Sequence, residues 1–499
     1  MNNLVYKNNQ RYWEKENQRD ADNGMLLYEN YYNDAPQICY GISKVALCLA
    51  KCLNLTPGVL LPWKESKLSM SMCQKQFQIK NRLAIIALKH CIHLLHMVIT
   101  VNREKLLALK YGDDLIGPYM YDAIIRKFNK KTISSLSLRE RAYICFEICY
   151  YFYFLDIFNK LNIKVVVLGD NVYRYGYLFE ICKNRNITCY SPIDLNTMFL
   201  RKFSKSDDFK SNYLSKVTLQ KLCLGRDYRS IVKDYFDRRY SGNIQQHDVL
   251  TAYANKEVST EDEFRLRYKI DPSKKTVIIM SHVFADAPHV YTDALYDDYW
   301  IWFEQTFECL LQNKNINLLV KEHPSAHLYG QKGLVTDFLR KKGLESLQIV
   351  EKESTLSILQ NVDTVVTCGG TIGIEIAYFG KNVVLASRPP YANVGFTTGF
   401  DSRAKYEEFL INDIQNLKPL TYGQKEIAIQ TAYVLFCRAN NWSPNLELGG
   451  EIIYMGKEYD VNVLYSNIIK YNNVPLENQE IFKLIKKFVS SNNNEFFSD

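Results

Sequence analysis

Apolar and polar positions keep two rhythms along this chain. From residue 273 the pattern is regular. "KTVIIMSHVF" is a β-type apolar run that breaks into a polar loop, and "DDYWIWFEQTFECLLQN" spaces apolar residues along one helix face. "INLLVKEHPSA" predicts a strand into a loop, "GLVTDFLRKKG" a helix, "LQIVEKES" a strand, and "TLSILQNVD" a short helix. "TVVTCGG" then predicts a strand, "TIGIEIAYFG" a helix, and "KNVVLAS" another strand. Strands alternating with helices over short loops predict α/β architecture with a doubly wound parallel sheet. Ligands bind at the carboxyl edge of such sheets.

The earlier half is less even. Residues 1–36 predict an irregular or weakly helical lead-in. "TPGVLLPW" (56–63) predicts an extended piece, 79–101 a helix, and 136–161 a long helix rich in Tyr and Phe. "IKVVVLGD" (163–170) is the clearest strand of this half, and "ITCYSP" (187–192) predicts another. Residues 200–272 are charged and mostly helical, the tail of a first domain and a connection. The expected divisions are 1–36, 37–272, 273–401 and a helical 402–499, in which "AIQTAYVLFCRANN" closes back on the body. The most apolar helical stretch, "LAIIALKHCIHLLHMVITV" (83–101), carries Lys89 and three His, which predicts a buried helix rather than a membrane span. His90, His93 and His96 come at three-residue steps, but no fourth zinc ligand lies near, so no metal site is expected.

Composition narrows the class. A net charge of +8 is spread over 499 residues. Without a concentrated basic patch it does not indicate a nucleic-acid binder, although it can favour an anionic membrane surface or a phosphorylated substrate. The thirteen Cys are odd in number and include no CxxC pair. Cys48/Cys52 and Cys145/Cys149 sit inside apolar runs, where thiols pack as small hydrophobes, so a reducing cytoplasm is expected. The start "MNNLVYKNNQRYWEKENQRD" lacks a signal-peptide core. Its basic, aromatic character allows peripheral contact with the inner face of a membrane.

The strongest chemical signal is "TVVTCGGTIGIEIAYFGKNVVLASR". Gly369 and Gly370 make a tight loop that lets a ligand approach the backbone. Thr371 stands at an expected helix N-cap, and the helix N-terminus beyond it offers a phosphate seat. Glu375, about one turn in, can point back toward a ribose. The plain structural alternative is an ordinary strand-loop-helix joint. "LLVKEHPSAH" places Lys321, His323 and Pro324 at the end of another strand on the same edge, which suits a diphosphate or phosphodiester leaving group. "IIMSHVFADAPHVY" brings Ser281, His282 and Asp286 into a third loop, to bind the donor or orient its sugar, or simply to cap the strand. "RPPYANVGFTTGF" adds Arg388 for a phosphate or sugar carboxylate and Tyr391 to stack on a base or sugar, or else forms a structural turn.

"SHVFADA", "VKEHP", "TCGGTIGIEIAYFGKNVV" and "RPPYANVGFTTGF" resemble, in order and spacing, the bacterial capsule and surface-carbohydrate biosynthesis glycosyltransferases related to the capsular Kdo transferases. "YGDDLIGPYMYDAIIRKF" is similar to that group's glycine-aspartate loop, and "LGDNVYRYGYLFEICKNRNITCY" to a further element. The resemblance covers roughly residues 100–400 and is more specific in its second half. Ala285 stands where the group usually has an aromatic residue, and Ile181-Cys182 where small residues are common. The resemblance implies a GT-B-like fold of two Rossmann-like domains facing across a cleft. The acceptor side falls in 37–272 and the nucleotide-sugar in 273–401. His323-Pro324 match the His-Pro motif of enzymes using CMP-activated acidic sugars, and Thr371 and Glu375 match phosphate and ribose or base positions. It also implies metal-independent transfer, with no cofactor beyond the donor.

Sugar transfer needs a group to take the acceptor hydroxyl's proton or to steady charge at the donor carbon. Asp113, Asp114 and Asp170 are the candidates, the first two preferred over Asp170, which also reads as the polar stop of its strand. The leading expectation is transfer of a sugar, for instance a CMP-activated ulosonic acid such as Kdo, to a surface polysaccharide or lipid-linked glycan. The alternatives are a teichoic-acid-type polyol-phosphate transferase and a non-catalytic subunit of a polysaccharide assembly complex.

Overall fold

The computed structural model describes residues 2–17, 23–30, 36–61, 67–80, 82–194, 199–211, 214–242, 253, 256–291, 293–437, 461–491 and 493–496. They form two compact units. The first takes its residues from Met1–Ile124, Ser135–Phe209 and Ala439–Asp499, the second from Ile125–Ser134 and Lys210–Arg438.

The first unit is built on β1 (Met25–Glu29), β2 (Thr56–Leu61), β3 (Lys75–Gln78), β6 (Ile163–Val167), β7 (Thr188–Asp194), β8 (Phe199–Phe203) and β14 (Glu495–Phe496), in the order β14-β8-β7-β6-β1-β2-β3. The pairs from β7 to β3 are parallel, while β8 and β14 join antiparallel. Central strands covered on both faces favour continuous apolar runs, and "MLLYE" and "IKVVV" are such runs. Leu26, Tyr28, Val165 and Val167 pack in one core with the helix Pro36–Leu53. A separate two-strand hairpin, β4 (Lys110–Tyr111) and β5 (Asp114–Leu115), turns at Gly112-Asp113.

Three expected divisions change, two of them at the chain's ends. Within the expected irregular or weakly helical lead-in 1–36, Asn2–Glu16 is a helix that buries Val5 and Trp13 in this core, and β1 lies inside the sheet, so both belong to the first unit. Residues 402–499 are not one helical region. The helix Glu480–Val489 buries Ile481, Phe482, Ile485 and Phe488, an i, i+1, i+4, i+7 stripe, in the first unit's core.

The second unit carries β9 (Lys275–Met280), β10 (Ile316–Lys321), β11 (Thr364–Thr367), β12 (Asn382–Leu385) and β13 (Thr397–Thr398), all parallel, in the order β10-β9-β11-β12-β13. Trp302, Phe303 and Phe307 of the helix Tyr299–Gln312 share a core with Val277, Ile279, Val320 and Val366. The two units are the pair of parallel-sheet α/β bodies that a GT-B-like fold requires. "LQIVEKES" is not a strand. A short 3-10 turn, Glu345–Leu347, leads into it, and it makes two isolated bridges, Gln348 to Val320 and Glu353 to Glu257, because its apolar part is too short to continue the ladder. The unit's main segment starts at 210, not 273: the helices Lys216–Cys223 and Tyr228–Tyr240 pack on the helix Tyr422–Ala432 and the π-helical turn Tyr433–Cys437 that follows it. The end of the expected closing helix, residues 438–441, lies outside the described residues.

The stretch 83–101 also departs from expectation. It forms two helices, Leu83–Lys89 and Cys91–Thr100, bent by 76°, with Ile86 and Met97 their buried residues. Among the described residues no single helix is long and apolar enough to cross a membrane.

Candidate functional site

Three neighbouring strands end together. The register that pairs Lys321 with Met280 and Val366 with Ile279 aligns the carboxyl ends of β10, β9 and β11. Their loops line one cavity of about 130 Å³, walled by Ser281, His282, Lys321, His323, Pro324, Gly370, Thr371 and Glu375. A larger cavity of about 450 Å³ shares Lys321, Glu322, His323 and Pro324 and extends to Lys256, His327, Lys332, Ile349 and Val350. The smaller chamber has room for a phosphate, and the larger falls within the ~300–1,000 Å³ of small-molecule sites.

Ser281 ties the first two loops together. Its N–H donates to the Lys321 carbonyl (3.0 Å) and its hydroxyl accepts from the His323 N–H (2.9 Å). The His323 Nδ1 accepts from the Ser325 N–H (3.1 Å). A neutral ring accepting at Nδ1 carries its proton on Nε2, so His323 is a donor on that side. Lys321 is buried, and its Nζ donates to the Glu353 carbonyl (2.8 Å). Burial, aided by Lys256, lowers its pKa to about 8. The Glu353 carboxylate is held by Arg267 (2.6 Å) and the Tyr268 hydroxyl (3.0 Å), which fixes that carbonyl.

His282 braces the glycine loop. Its Nε2 accepts from the Gly369 N–H (3.3 Å) and lies 3.2 Å from the Thr367 hydroxyl, and its ring stacks on Tyr299. Desolvation, and then His323, push its pKa down to about 3, so the ring is neutral through the physiological range. Thr371 occupies the expected N-cap position but makes no side-chain cap; it is exposed and lines the cavity. The helix behind it, Ile372–Tyr378, has only seven residues. Positive charge for a phosphate therefore comes first from Lys321.

The two glycines differ. A Cβ on Gly369 would lie 2.6 Å from the Tyr291 ring, so packing rather than ligand approach requires glycine there. A Cβ on Gly370 would meet Thr367 at 3.4 Å and His282 at 3.6 Å, ordinary contacts beside the cavity. Gly369→Ala is therefore expected to cost about 1–3 kcal/mol of stability. Gly370→Ala is expected to fold with less than about 1 kcal/mol lost but to crowd the cavity and weaken nucleotide binding. Urea melts beside nucleotide titrations of the two variants check this, and equal destabilisation would contradict it.

Glu375 is not open to a ribose. It is 2% exposed, with one carboxylate oxygen accepting from Arg239 (2.9 Å) and the other from the Tyr253 hydroxyl. Arg239 and Tyr253 line the cavity and were missed in the sequence. Tyr391 does not stack on a ligand: it is buried, stacks on Phe396, and its hydroxyl donates to the Gly370 carbonyl (2.5 Å), shaping the glycine loop from behind. Arg388 lies outside the cavity, paired with Asp401 (2.7 Å), and Asp286 is exposed, accepting from Tyr329 (3.3 Å).

The three aspartates belong to the first unit. Asp113 is exposed in the β4–β5 turn. Asp114 is buried and accepts from the Tyr151 hydroxyl (2.7 Å) and the Asn184 amide (2.8 Å), a structural setting. Asp170 caps its own loop, accepting from the Asn171 N–H (2.7 Å). At the same sheet edge Glu29, buried at the end of β1, accepts from the Gly169 N–H (2.7 Å); it fell within the expected lead-in 1–36 and was not singled out in the sequence. His90 stacks on Phe152 and His93 contacts Tyr111. Among the described residues no group of three or more His, Cys, Asp or Glu is placed to hold a metal ion.

Residues 192–409 match the family model described as Capsule polysaccharide biosynthesis protein. No curated protein matches the chain. Among solved structures it is similar to the KpsC beta Kdo 2,4 transferase of Thermosulfurimonas dismutans (16% identity, TM-score 0.33, covering 61% of this chain and 87% of that one). It is similar to the KpsC beta Kdo 2,7 transferase of the same organism (17%, 0.31, 62% and 85%). A further similar structure is the UDP-GlcNAc 2-epimerase of Methanocaldococcus jannaschii in complex with UDP-GlcNAc and UDP (13%, 0.25, 82% and 99%).

Proposed function

We propose, from the resemblance of residues 192–409 to the capsule polysaccharide biosynthesis family, that this chain is a glycosyltransferase of capsule assembly whose second unit binds a nucleotide-sugar. One observation carries this: Lys321, His323 and the Gly370-Thr371 loop, far apart in sequence, line one cavity at the carboxyl edge of a parallel sheet. In the transfer, the bond from the donor's anomeric carbon to the phosphate oxygen breaks and a bond from that carbon to the acceptor oxygen forms. The nucleotide leaves with the electron pair, and its phosphate charge meets the Lys321 ammonium and the His323 Nε2–H. The first-turn N–H groups beside Thr371 add weaker donors. The nucleoside lies in the larger chamber against Ile349 and Val350. Transfer is metal-independent in this proposal, and no cofactor is invoked.

The acceptor hydroxyl loses its proton to a carboxylate. Asp113 is our candidate, because Asp114 and Asp170 are committed to hydrogen bonds of the fold. The donor we favour is a CMP-linked ulosonic acid, on the His-Pro pair alone, and the acceptor a polysaccharide or lipid-linked glycan. We place the reaction in the cytoplasm, where buried thiols such as Cys48 and Cys182 stay reduced.

Thermal-shift titration with CMP, CDP, UDP and GDP tests the donor site, with His323→Ala beside the parent. A ligand at 100 times its Kd adds about 2.7 kcal/mol to the folded state. CMP is expected to give the largest rise in Tm, and the variant to lose it. A shift with CDP alone favours polyol-phosphate transfer, and one with UDP alone a hexose donor. No shift with any nucleotide contradicts the donor site.

A further inference from the structure

The helices Leu83–Lys89 and Cys91–Thr100 turn a row of large aliphatics to solvent. Ile85 is 69% exposed, Leu88 77%, Ile92 83%, Leu95 62% and Ile99 70%. Single exposed apolar residues are ordinary; five on the outer side of one helix pair are not. The inner side is anchored. Ile86 and Met97 are buried, and His90 stacks on Phe152 of the helix Leu138–Lys160. From that same helix Arg141 donates to the Val98 and Ile99 carbonyls at 2.8 and 3.3 Å. The aliphatic row is thus held outward.

Charge names the partner. Across residues 80–110 the chain carries Lys80, Arg82, Lys89, Arg103, Lys105 and Lys110 against a single acidic residue, Glu104. Lys80, Arg82, Lys89, Lys105 and Lys110 are exposed. Apart from Arg82, which pairs with Asp156 (3.1 Å), these cations flank the aliphatic row in sequence, and apolar residues flanked by basic ones complement a surface that is apolar within and anionic at its headgroups. The helices of seven and ten residues are bent by 76°. At 1.5 Å per residue neither approaches the ~30 Å of a hydrocarbon core.

We propose that this helix pair docks the chain on an anionic lipid bilayer. Ile85, Leu88, Ile92, Leu95 and Ile99 enter the headgroup boundary, and the flanking Lys and Arg meet lipid phosphates. The proposal rests on the first unit alone and is independent of the donor site.

The test is co-sedimentation of the full chain with vesicles of phosphatidylcholine alone and of phosphatidylcholine with phosphatidylglycerol. The parent is expected to bind the anionic vesicles more tightly, and to release as NaCl rises from about 0.1 to about 0.5 M. Ile92→Glu/Leu95→Glu is expected to weaken binding by roughly 100-fold, with an unchanged circular-dichroism spectrum and melt. Lys89→Glu/Lys105→Glu, which spares the aliphatics, is expected to lose the preference for anionic lipid. Failure of the parent to bind anionic vesicles would overturn the proposal, as would full binding by the Ile92/Leu95 variant. So would a dimer in sedimentation equilibrium that this variant abolishes and vesicles do not displace, since the face would then belong to a second copy.

Discussion

Arg239→Met is expected to lower the stability of the second unit by about 3–5 kcal/mol, the largest loss from any single change near the cavity. Glu375 is buried in the helix that carries the glycine loop, and its carboxylate oxygens are met by Arg239 and Tyr253. Removing the guanidinium strands an ionised carboxylate away from water, which costs more than the pair contributes. Glu375→Gln in the same background is expected to recover much of the loss, because a neutral amide needs no counter-charge. Tyr253→Phe is expected to cost less, about 1–3 kcal/mol, since Arg239 remains. Urea melts of the four members of the Arg239/Glu375 cycle measure the coupling. An Arg239→Met chain within about 1 kcal/mol of the parent would show that the pair does not hold the site.

The second large effect is a pH dependence with opposite slopes for binding and stability. Lys321 has its pKa lowered from 10.5 to about 8 by burial. Between those values the unfolded chain binds more protons than the folded one, so this group makes stability rise with pH through that interval. Nucleotide binding needs the ammonium form. Affinity for a nucleotide phosphate is therefore expected to fall as pH rises through about 8, although the fold grows no weaker. Lys321→Met is expected to lose about 10–150-fold in affinity, the worth of a charge-assisted hydrogen bond, and to flatten the profile above pH 7. His282, held neutral down to about pH 3, contributes nothing to this profile. Calorimetric titrations from about pH 6.5 to 9.5 read the slope around the Lys321 value of about 8. A parent whose affinity is flat across pH 8 would remove Lys321 from the phosphate.

The sheet edge was legible because strand periodicity and loop position are local. "VKEHP" and "TCGGTIG" each announce a strand end, and parallel topology brings such ends together without a long-range contact having to be known. That is why Ser281, His282, Lys321, His323, Gly370 and Thr371 meet as expected. Glu375 was legible as a residue but not as half of a pair. Arg239 and Tyr253 lie 136 and 122 positions away, and "DYFDRRY" reads as a solvated helix until its partner is known. Tyr391 and Gly369 were legible as functional types, yet packing decides them: one hydroxyl supports the loop from behind and one ring leaves no room for a Cβ. The stretch 83–101 failed for another reason. Apolar composition predicts removal from water but not what removes it, and here the protein itself covers only one side.

The most direct measurement is a crystal structure with CMP soaked or co-crystallised. The account predicts phosphate density within hydrogen-bonding distance of Lys321 Nζ and His323 Nε2, with the cytosine in the chamber lined by Ile349 and Val350. Ordered CMP bound elsewhere, with the Lys321–His323 cavity empty, would contradict it.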